Sequence, residues 1–85
     1  MYKLRIHKQA RKKLQTFNAK DRLKITDRIV ELSLDPDSTK LDIKKMRGQD
    51  LWRLRVGSWR IIYDRDDVVK IISIEKIKPR GDVYK

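Results

Sequence analysis

The sequence has no cysteine, a single histidine, two prolines and three glycines among its 85 residues. Without cysteine the chain can form neither disulfides nor thiolate metal sites, and His7 alone cannot build a histidine-based metal cluster or a serine–histidine triad. No apolar run reaches the roughly 18 residues that span a bilayer, and residues 1–5 alternate charge and bulk, unlike a signal peptide. We therefore predict a cytoplasmic protein without a metal, another cofactor or a membrane partner.

The sequence is short and strongly basic. A chain of 85 residues is near the lower end of lengths that fold alone, which predicts one domain over residues 1–85. Lysine and arginine total 23 against 12 acidic residues, giving a formal net charge of +11. The first acidic residue is Asp21, and seven lysines and arginines precede it. Such a charge predicts attraction to a phosphate polymer or an acidic protein, although each lysine alone can also be a solvated surface residue.

Hydrophobic periodicity predicts a strand followed by a short helix at the start of the chain. Residues 2–7 alternate apolar and polar side chains, which is the pattern of a half-buried strand. Ala10, Leu14 and Phe17 then fall at i, i+4 and i+7, the stripe of a short amphipathic helix.

A second helix is predicted from Ala19, with Asn18 as its cap because an asparagine oxygen can accept a hydrogen bond from an amide of the first turn. The helix should end at Pro36, since the residue before a proline is displaced from helical geometry. Its predicted apolar stripe comprises Leu23, Ile25, Ile29, Val30, Leu32 and Leu34.

The remainder of the chain predicts a sheet. Residues 37–49 are polar without a clear period and are interpreted as a basic connector. Residues 51–56 and 59–64 alternate, and the two-residue connection at 57–58 begins with glycine, which fits a type II′ hairpin. Residues 68–74 are rich in valine and isoleucine and predict a central strand, followed by a polar tail. The predicted order β-α-α-β-β-β is an α+β fold with a helix hairpin on one face of a small, mainly antiparallel sheet.

The predicted hairpin turn brings arginines together. It places Arg55 opposite Arg60, and cross-strand partners share a face, as does Arg53 two residues along the strand. Like charges directly opposite one another destabilise a sheet by roughly a few tenths to 1 kcal/mol, whereas the arginine fork matches phosphate oxygens. We therefore predict a phosphate-binding face, with ion pairs to nearby aspartates as the structural alternative. The opposite face, predicted to pack on the helices, carries Trp52, Leu54, Val56, Trp59, Ile61 and Tyr63.

Three segments carry a family resemblance: KMRG at 45–48, LWRLRVGSWRIIY at 51–63 and PRGDVY at 79–84. Together with the order of elements, they resemble the RelE branch of the RelE/ParE toxin superfamily over nearly the whole chain. The resemblance implies a microbial RNase-like fold and a bacterial or archaeal type II toxin. It also implies ribosome-dependent cleavage of mRNA, in which the ribose 2′-hydroxyl attacks the adjacent phosphate without a metal and leaves a 2′,3′-cyclic phosphate.

The same resemblance implies catalytic roles for five residues. Arg53 and Arg55 stand where the family often has paired basic residues, and Arg60 and Arg80 would bind the scissile phosphate. Preorganised donors of this type stabilise charge that develops in the transition state, here on the phosphorane. Tyr84 occupies the terminal aromatic position, where it could stack on a nucleotide, orient it or accept the 2′-hydroxyl proton.

The basic connector is predicted to bind RNA through Lys40, Lys44, Lys45 and Arg47, with a solvated surface as the alternative for Arg47. The expected partners are an acidic or amphipathic antitoxin and a ribosome with mRNA in its decoding site. Two other functions stay open, namely a ParE-like toxin that binds DNA gyrase and a catalytically idle RNA-binding module. The combination of Arg60 with Arg80 and Tyr84 favours the nuclease, because a gyrase binder needs no phosphate-directed groups there.

Overall fold

The computed structural model describes residues 1–79. Arg80 and Tyr84, both predicted to be catalytic, therefore lie outside the described residues. The elements are β1 (Lys3–Ile6), α1 (Lys8–Gln15), α2 (Ala19–Leu34), β2 (Asp42–Lys45), β3 (Trp52–Val56), β4 (Trp59–Asp66) and β5 (Ile71–Pro79). The five strands form one sheet in the order β1-β5-β4-β3-β2, in which only β1 and β5 run parallel. The predicted α+β fold is confirmed.

The helix boundaries follow from local signals in the sequence. The Asn18 side chain accepts a hydrogen bond from the Asp21 amide at 2.8 Å, which is the predicted cap of α2. The helix ends at Leu34, and the next residue, Asp35, is extended because it precedes Pro36. Neither helix of the described chain is long and apolar enough to cross a bilayer.

The buried stripe of α2 is narrower than the periodicity predicts. Ile25, Ile29 and Leu32 are almost fully buried, at i, i+4 and i+7. The other three predicted members remain exposed: Leu23 (62%), Val30 (40%) and Leu34 (58%). A single helix layer on a small sheet covers only the residues that point straight at it, so apolar residues on the flanks of the stripe stay in contact with solvent.

The predicted basic connector contains a strand, so the interpretation of residues 37–49 as a connector is corrected. Residues 42–45 form β2, which pairs antiparallel with β3 and places Ile43 opposite Leu54. A four-residue strand with one apolar position gives almost no period-two signal. The neighbouring strand β3 supplies its hydrogen bonds, and this pairing decides its structure.

The predicted strand at 68–74 begins three residues too early. Val68 and Val69 lie in the turn after β4 and are 90% and 59% exposed. The Asp66 carboxylate accepts hydrogen bonds from both of their amides, at 3.0 and 3.2 Å, and Lys70 closes the turn with a φ of 60°. β5 instead extends to Pro79, into the segment predicted to be a polar tail.

The face of the sheet that packs on the helices is apolar, as predicted. Leu54, Ile61 and Tyr63 are completely buried there, with the half-buried Trp52 and Trp59 beside them. The Tyr63 hydroxyl is buried without a hydrogen-bond partner among residues 1–79, and this burial raises the pKa of Tyr63 to about 12. The core therefore contains a polar atom that makes no compensating hydrogen bond within the described chain.

Arg65 fastens the segment after α2 to the sheet. Its Nη1 donates to Asp37 Oδ1 at 3.0 Å and its Nε donates to Asp67 Oδ1 at 2.9 Å. Its guanidinium lies 5.3 Å from the centre of the Trp52 ring, and its side chain is only 9% exposed. The hydrogen bond to Asp37, and to a smaller extent the one to Asp67, raises the pKa of Arg65 above its ordinary value. Arg65 therefore remains a cation in this network.

Candidate nucleic-acid interface

The turn between β3 and β4 sets the register of the predicted site. Gly57 has a φ of 59°, and Lys70 is the one non-glycine residue of 1–79 with a positive φ. Ser58 therefore has a negative φ, which agrees with the predicted type II′ turn and excludes type I′. The resulting register makes Arg55 and Arg60 Cα partners, as the sequence predicts.

The face turned away from the helices presents two rows of side chains across four strands, because directly opposed residues share a face. We call this surface the arginine face. The first row is Asp42, Arg55, Arg60 and Lys78, and the second is Lys44, Arg53, Ile62 and Lys76. The structure therefore brings the three predicted hairpin arginines to one face and adds lysines on both sides of them.

Arg60 is the most unusual residue of the arginine face, because its side chain is buried. Its exposed fraction is 1%, and its Nη1 donates a hydrogen bond to the Trp59 carbonyl at 3.1 Å. The Nε atom has no hydrogen-bond partner among residues 1–79, and no carboxylate of these residues pairs with the guanidinium. A buried cation without a counter-ion is costly, so this environment favours an anionic ligand.

The other two hairpin arginines have different surroundings. Arg55 is about half exposed, and its Nε lies 3.9 Å from Asp42 Oδ2, a long and solvated ion pair of small energetic value. Arg53 is half-buried between Lys44 and Ile62 on the neighbouring strands. The structural alternative, in which the arginines pair with aspartates, therefore holds for Arg55. It does not hold for Arg60 within the described chain.

A second basic feature is the loop between β2 and β3. The Met46 amide donates to the Leu51 carbonyl at 2.9 Å, and Gly48 adopts a φ of 73° that lets the chain reverse. This loop and the adjoining strands enclose an open concavity of about 950 Å³. Its basic lining residues are Lys44, Lys45, Arg47 and Arg53, beside one acid, Asp50.

Three of the four predicted RNA-binding residues therefore surround one concavity, and it adjoins the arginine face through Lys44 and Arg53. Lys45 also lies near an aromatic ring, with its Nζ 5.8 Å from the centre of Trp52. The fourth predicted residue, Lys40, is exposed in the turn before β2 and does not line the concavity.

Sequence reasoning missed Lys76 and Lys78. A β-bulge at Ile62/Tyr63 leaves Glu75 as an extra residue in β5, so that Ile62 pairs with Lys76 and Arg60 with Lys78. Without this bulge both lysines would point towards the helices, because a one-residue shift moves every side chain to the other face. Lysine and isoleucine alternate at 76–78, which indicates a strand. The sequence does not reveal the bulge that determines which face of the sheet the lysines occupy.

No three His, Asp or Glu side chains within residues 1–79 are grouped as ligands for a metal ion. His7 instead pairs with Glu75, with Nε2 and Oε2 2.8 Å apart. The polar groups of the arginine face within the described chain are mainly guanidinium and ammonium groups, which bind phosphate.

The family model of the ParE toxin of type II toxin–antitoxin systems, parDE, matches residues 4–84. The chain belongs to the RelE/ParE family of type II toxin–antitoxin toxins. A curated relative, named "Putative toxin RelE1", comes from Methanocaldococcus jannaschii. It is 34% identical over 88 residues, which cover 99% of this toxin and 96% of the relative.

Solved structures give the same assignment. The toxin superposes on a chain of the archaeal RelE–RelB complex from Pyrococcus horikoshii OT3 with a TM-score of 0.83 and 36% identity, covering 94% of this chain and 96% of that one. For the RelB–RelE complex from Methanococcus jannaschii the TM-score is 0.75 and the identity 26%, covering 95% of each chain. These similarities confirm the predicted RelE-type fold and agree with membership of the RelE/ParE family.

Proposed function

We propose that this toxin is a ribosome-dependent endoribonuclease that cleaves mRNA in the decoding site. The observation that carries the proposal is the buried guanidinium of Arg60, which has no counter-ion among residues 1–79 and lies in register with Arg55 and Lys78. Three cationic side chains in one row across three strands suit a phosphodiester better than a neutral ligand. The net charge of +11 supports a polyanionic partner.

In the proposed reaction the ribose 2′-oxygen attacks the adjacent phosphorus and forms a new P–O bond. The bond from phosphorus to the 5′-oxygen of the next nucleotide breaks, leaving a 2′,3′-cyclic phosphate and a 5′-hydroxyl. The proton lost by the 2′-hydroxyl is balanced by the one that the 5′-oxygen takes up. The protein's task is to stabilise the additional negative charge on the phosphorane.

Arg60 is suited to that task because it is held in place before the reaction. Its burial lowers the local dielectric, and the hydrogen bond to the Trp59 carbonyl orients the guanidinium plane. Arg80 is proposed as the second phosphate ligand and Tyr84 as the terminal aromatic residue, on the strength of the family motif. Arginine stays protonated at all ordinary pH values, so neither arginine is proposed as the general base.

The proposed partner that silences the toxin is an acidic or amphipathic antitoxin. The Pyrococcus horikoshii and Methanococcus jannaschii structures are complexes of RelE with RelB, which supports such a partner for this chain. A net charge of +11 is also complementary to an acidic segment. Co-purification from the native host at low salt should recover a small acidic protein, and its absence would remove this part of the proposal.

Primer extension on a translated message, with and without the toxin, tests the proposed activity. New 5′ ends are expected only when ribosomes occupy the message, and chemical analysis of the 3′ end of the upstream fragment should find the cyclic phosphate. An RNA with a 2′-O-methyl group at the cleaved position is the matched control, since it lacks the attacking hydroxyl. Cleavage of that control would contradict the mechanism.

The matching family model describes ParE toxins, which gives the gyrase-binding alternative a specific observation in its favour. A supercoiling assay with purified gyrase distinguishes the two functions. Inhibition of gyrase without mRNA cleavage would replace the nuclease proposal. RNA binding without either activity would instead identify a catalytically idle RNA-binding module.

A further inference from the structure

A second basic groove, of about 370 Å³, lies between α1 and the last residues of β5. We call it the α1–β5 groove. Its polar lining consists of Gln9, Lys12, Lys13, Thr16, Lys76 and Lys78. None of its lining residues among 1–79 is acidic, and four of them are lysines.

The groove exists because the two paired strands differ in length. β1 ends at Ile6, opposite Ile74, whereas β5 continues to Pro79. The His7 amide donates to the Ile74 carbonyl at 2.9 Å, and the chain then turns directly into α1. A helix therefore lies beside the terminal part of β5 where a strand would otherwise pair with it, and a channel remains between them.

One contact with an aromatic ring positions a lysine of the groove. Lys13 Nζ lies 5.2 Å from the centre of the Trp59 ring, and that ring packs on Phe17 with a centroid distance of 4.5 Å. Lys78 lines the groove and is also the Cα partner of Arg60. The groove is thus continuous with the arginine face, and Lys76 and Lys78 belong to both surfaces.

We propose that the α1–β5 groove binds the phosphodiester backbone of the RNA strand next to the phosphate held at Arg60. This inference rests on the proposed function, because the Arg60 site fixes where the strand begins. The lining favours a nucleic-acid backbone over a protein helix, since apart from Ile77 and Pro79 it offers polar and cationic groups and no row of apolar anchors.

The test measures the salt dependence of RNA binding. The full-length toxin is titrated with a single-stranded RNA that carries 2′-O-methyl groups throughout, so that binding is measured without cleavage. Each phosphate contact on a single strand contributes about 0.7 to the slope of log K against log salt. The variant Lys12→Gln/Lys13→Gln should therefore reduce the magnitude of that slope by about 1.4.

The matched control is Lys20→Gln/Lys24→Gln on α2, which removes the same charge from exposed positions outside the groove. Its slope should stay close to the wild-type value, and thermal unfolding should show that both variants are folded. Equal slopes for the two variants would contradict RNA binding in the groove. A groove variant that keeps wild-type RNA binding and loses affinity for the antitoxin would contradict it as well.

Failure of the proposed function gives a different result. If the wild-type toxin cleaves no message while the two double variants still differ in slope, the nuclease proposal is wrong and the RNA-binding groove stands. If the toxin cleaves and the two slopes are equal, the groove alone is wrong.

Discussion

The two faces of the central hairpin show how one pair of strands serves two purposes. Leu54 and Ile61 point to the helices and are completely buried among apolar side chains. One residue along each strand, Arg55 and Arg60 point the other way and present cations. The first face stabilises the fold, whereas the second places like charges opposite each other and does not. Such an arrangement is typical of a functional surface maintained at some cost in stability.

The largest effect on stability is expected from the helix-facing side. Leu54→Ala should lower the free energy of unfolding by about 2–5 kcal/mol, because the side chain is completely buried and leaves a cavity. Arg55→Ala, the adjacent residue on the other face, should change it by less than about 1 kcal/mol, since only a long ion pair is lost. Urea denaturation of both variants measures the comparison, and similar losses would show that the arginine face also stabilises the fold.

The next largest effect concerns catalysis on the arginine face. Arg60→Ala should lower single-turnover mRNA cleavage on pre-bound ribosomes by at least about 10² while ribosome affinity stays within a few-fold, because the role proposed for the guanidinium is to stabilise developing charge. Arg80→Ala should behave in the same way. Cleavage by Arg60→Ala at nearly the wild-type rate would remove this residue from the mechanism, and a thermal unfolding curve controls for loss of structure.

A smaller effect, on ribosome binding, is expected to distinguish lysines that line the concavity beside β2 from a lysine outside it. Lys44→Gln and Lys45→Gln should each weaken ribosome binding and reduce its salt dependence, since both residues line the concavity. Lys40→Gln removes the same charge outside it and should have the smaller effect. Equal losses in all three variants would indicate that net charge alone, and not the concavity, determines the affinity.

The smallest effect is a pH dependence on the helix side of the sheet. Asp67 accepts hydrogen bonds from Arg65 and Tyr2, and both hold its pKa below the ordinary value, the one from Arg65 with the larger effect. A depressed pKa contributes stability above the unfolded value of about 4, and this contribution is lost as the pH falls through the folded value. In Asp67→Asn the free energy of unfolding should therefore fall less steeply than in the wild type as the pH is lowered from about 5. Asp27→Asn, at an exposed position of α2, should change this pH dependence less.

Local features of the sequence determined much of the fold. The oxygen of Asn18 caps α2 within one turn, Pro36 acts on its immediate neighbour, and the two-residue turn at Gly57 sets the register of Arg55 against Arg60. Each of these signals acts over a few residues, so the sequence alone contains it. The motif of the hairpin also predicted the family, and the family model and the relatives confirm it.

Only the tertiary structure decided the remaining features, because each depends on how separate strands pair and pack. β2 forms because β3 offers it hydrogen bonds, and the bulge opposite Ile62 turns Lys76 and Lys78 to the arginine face. The burial of Arg60 is likewise a property of the assembled sheet. Pairing and burial between separate strands leave no periodic trace within either strand, since the free energy that selects them arises only when the strands meet.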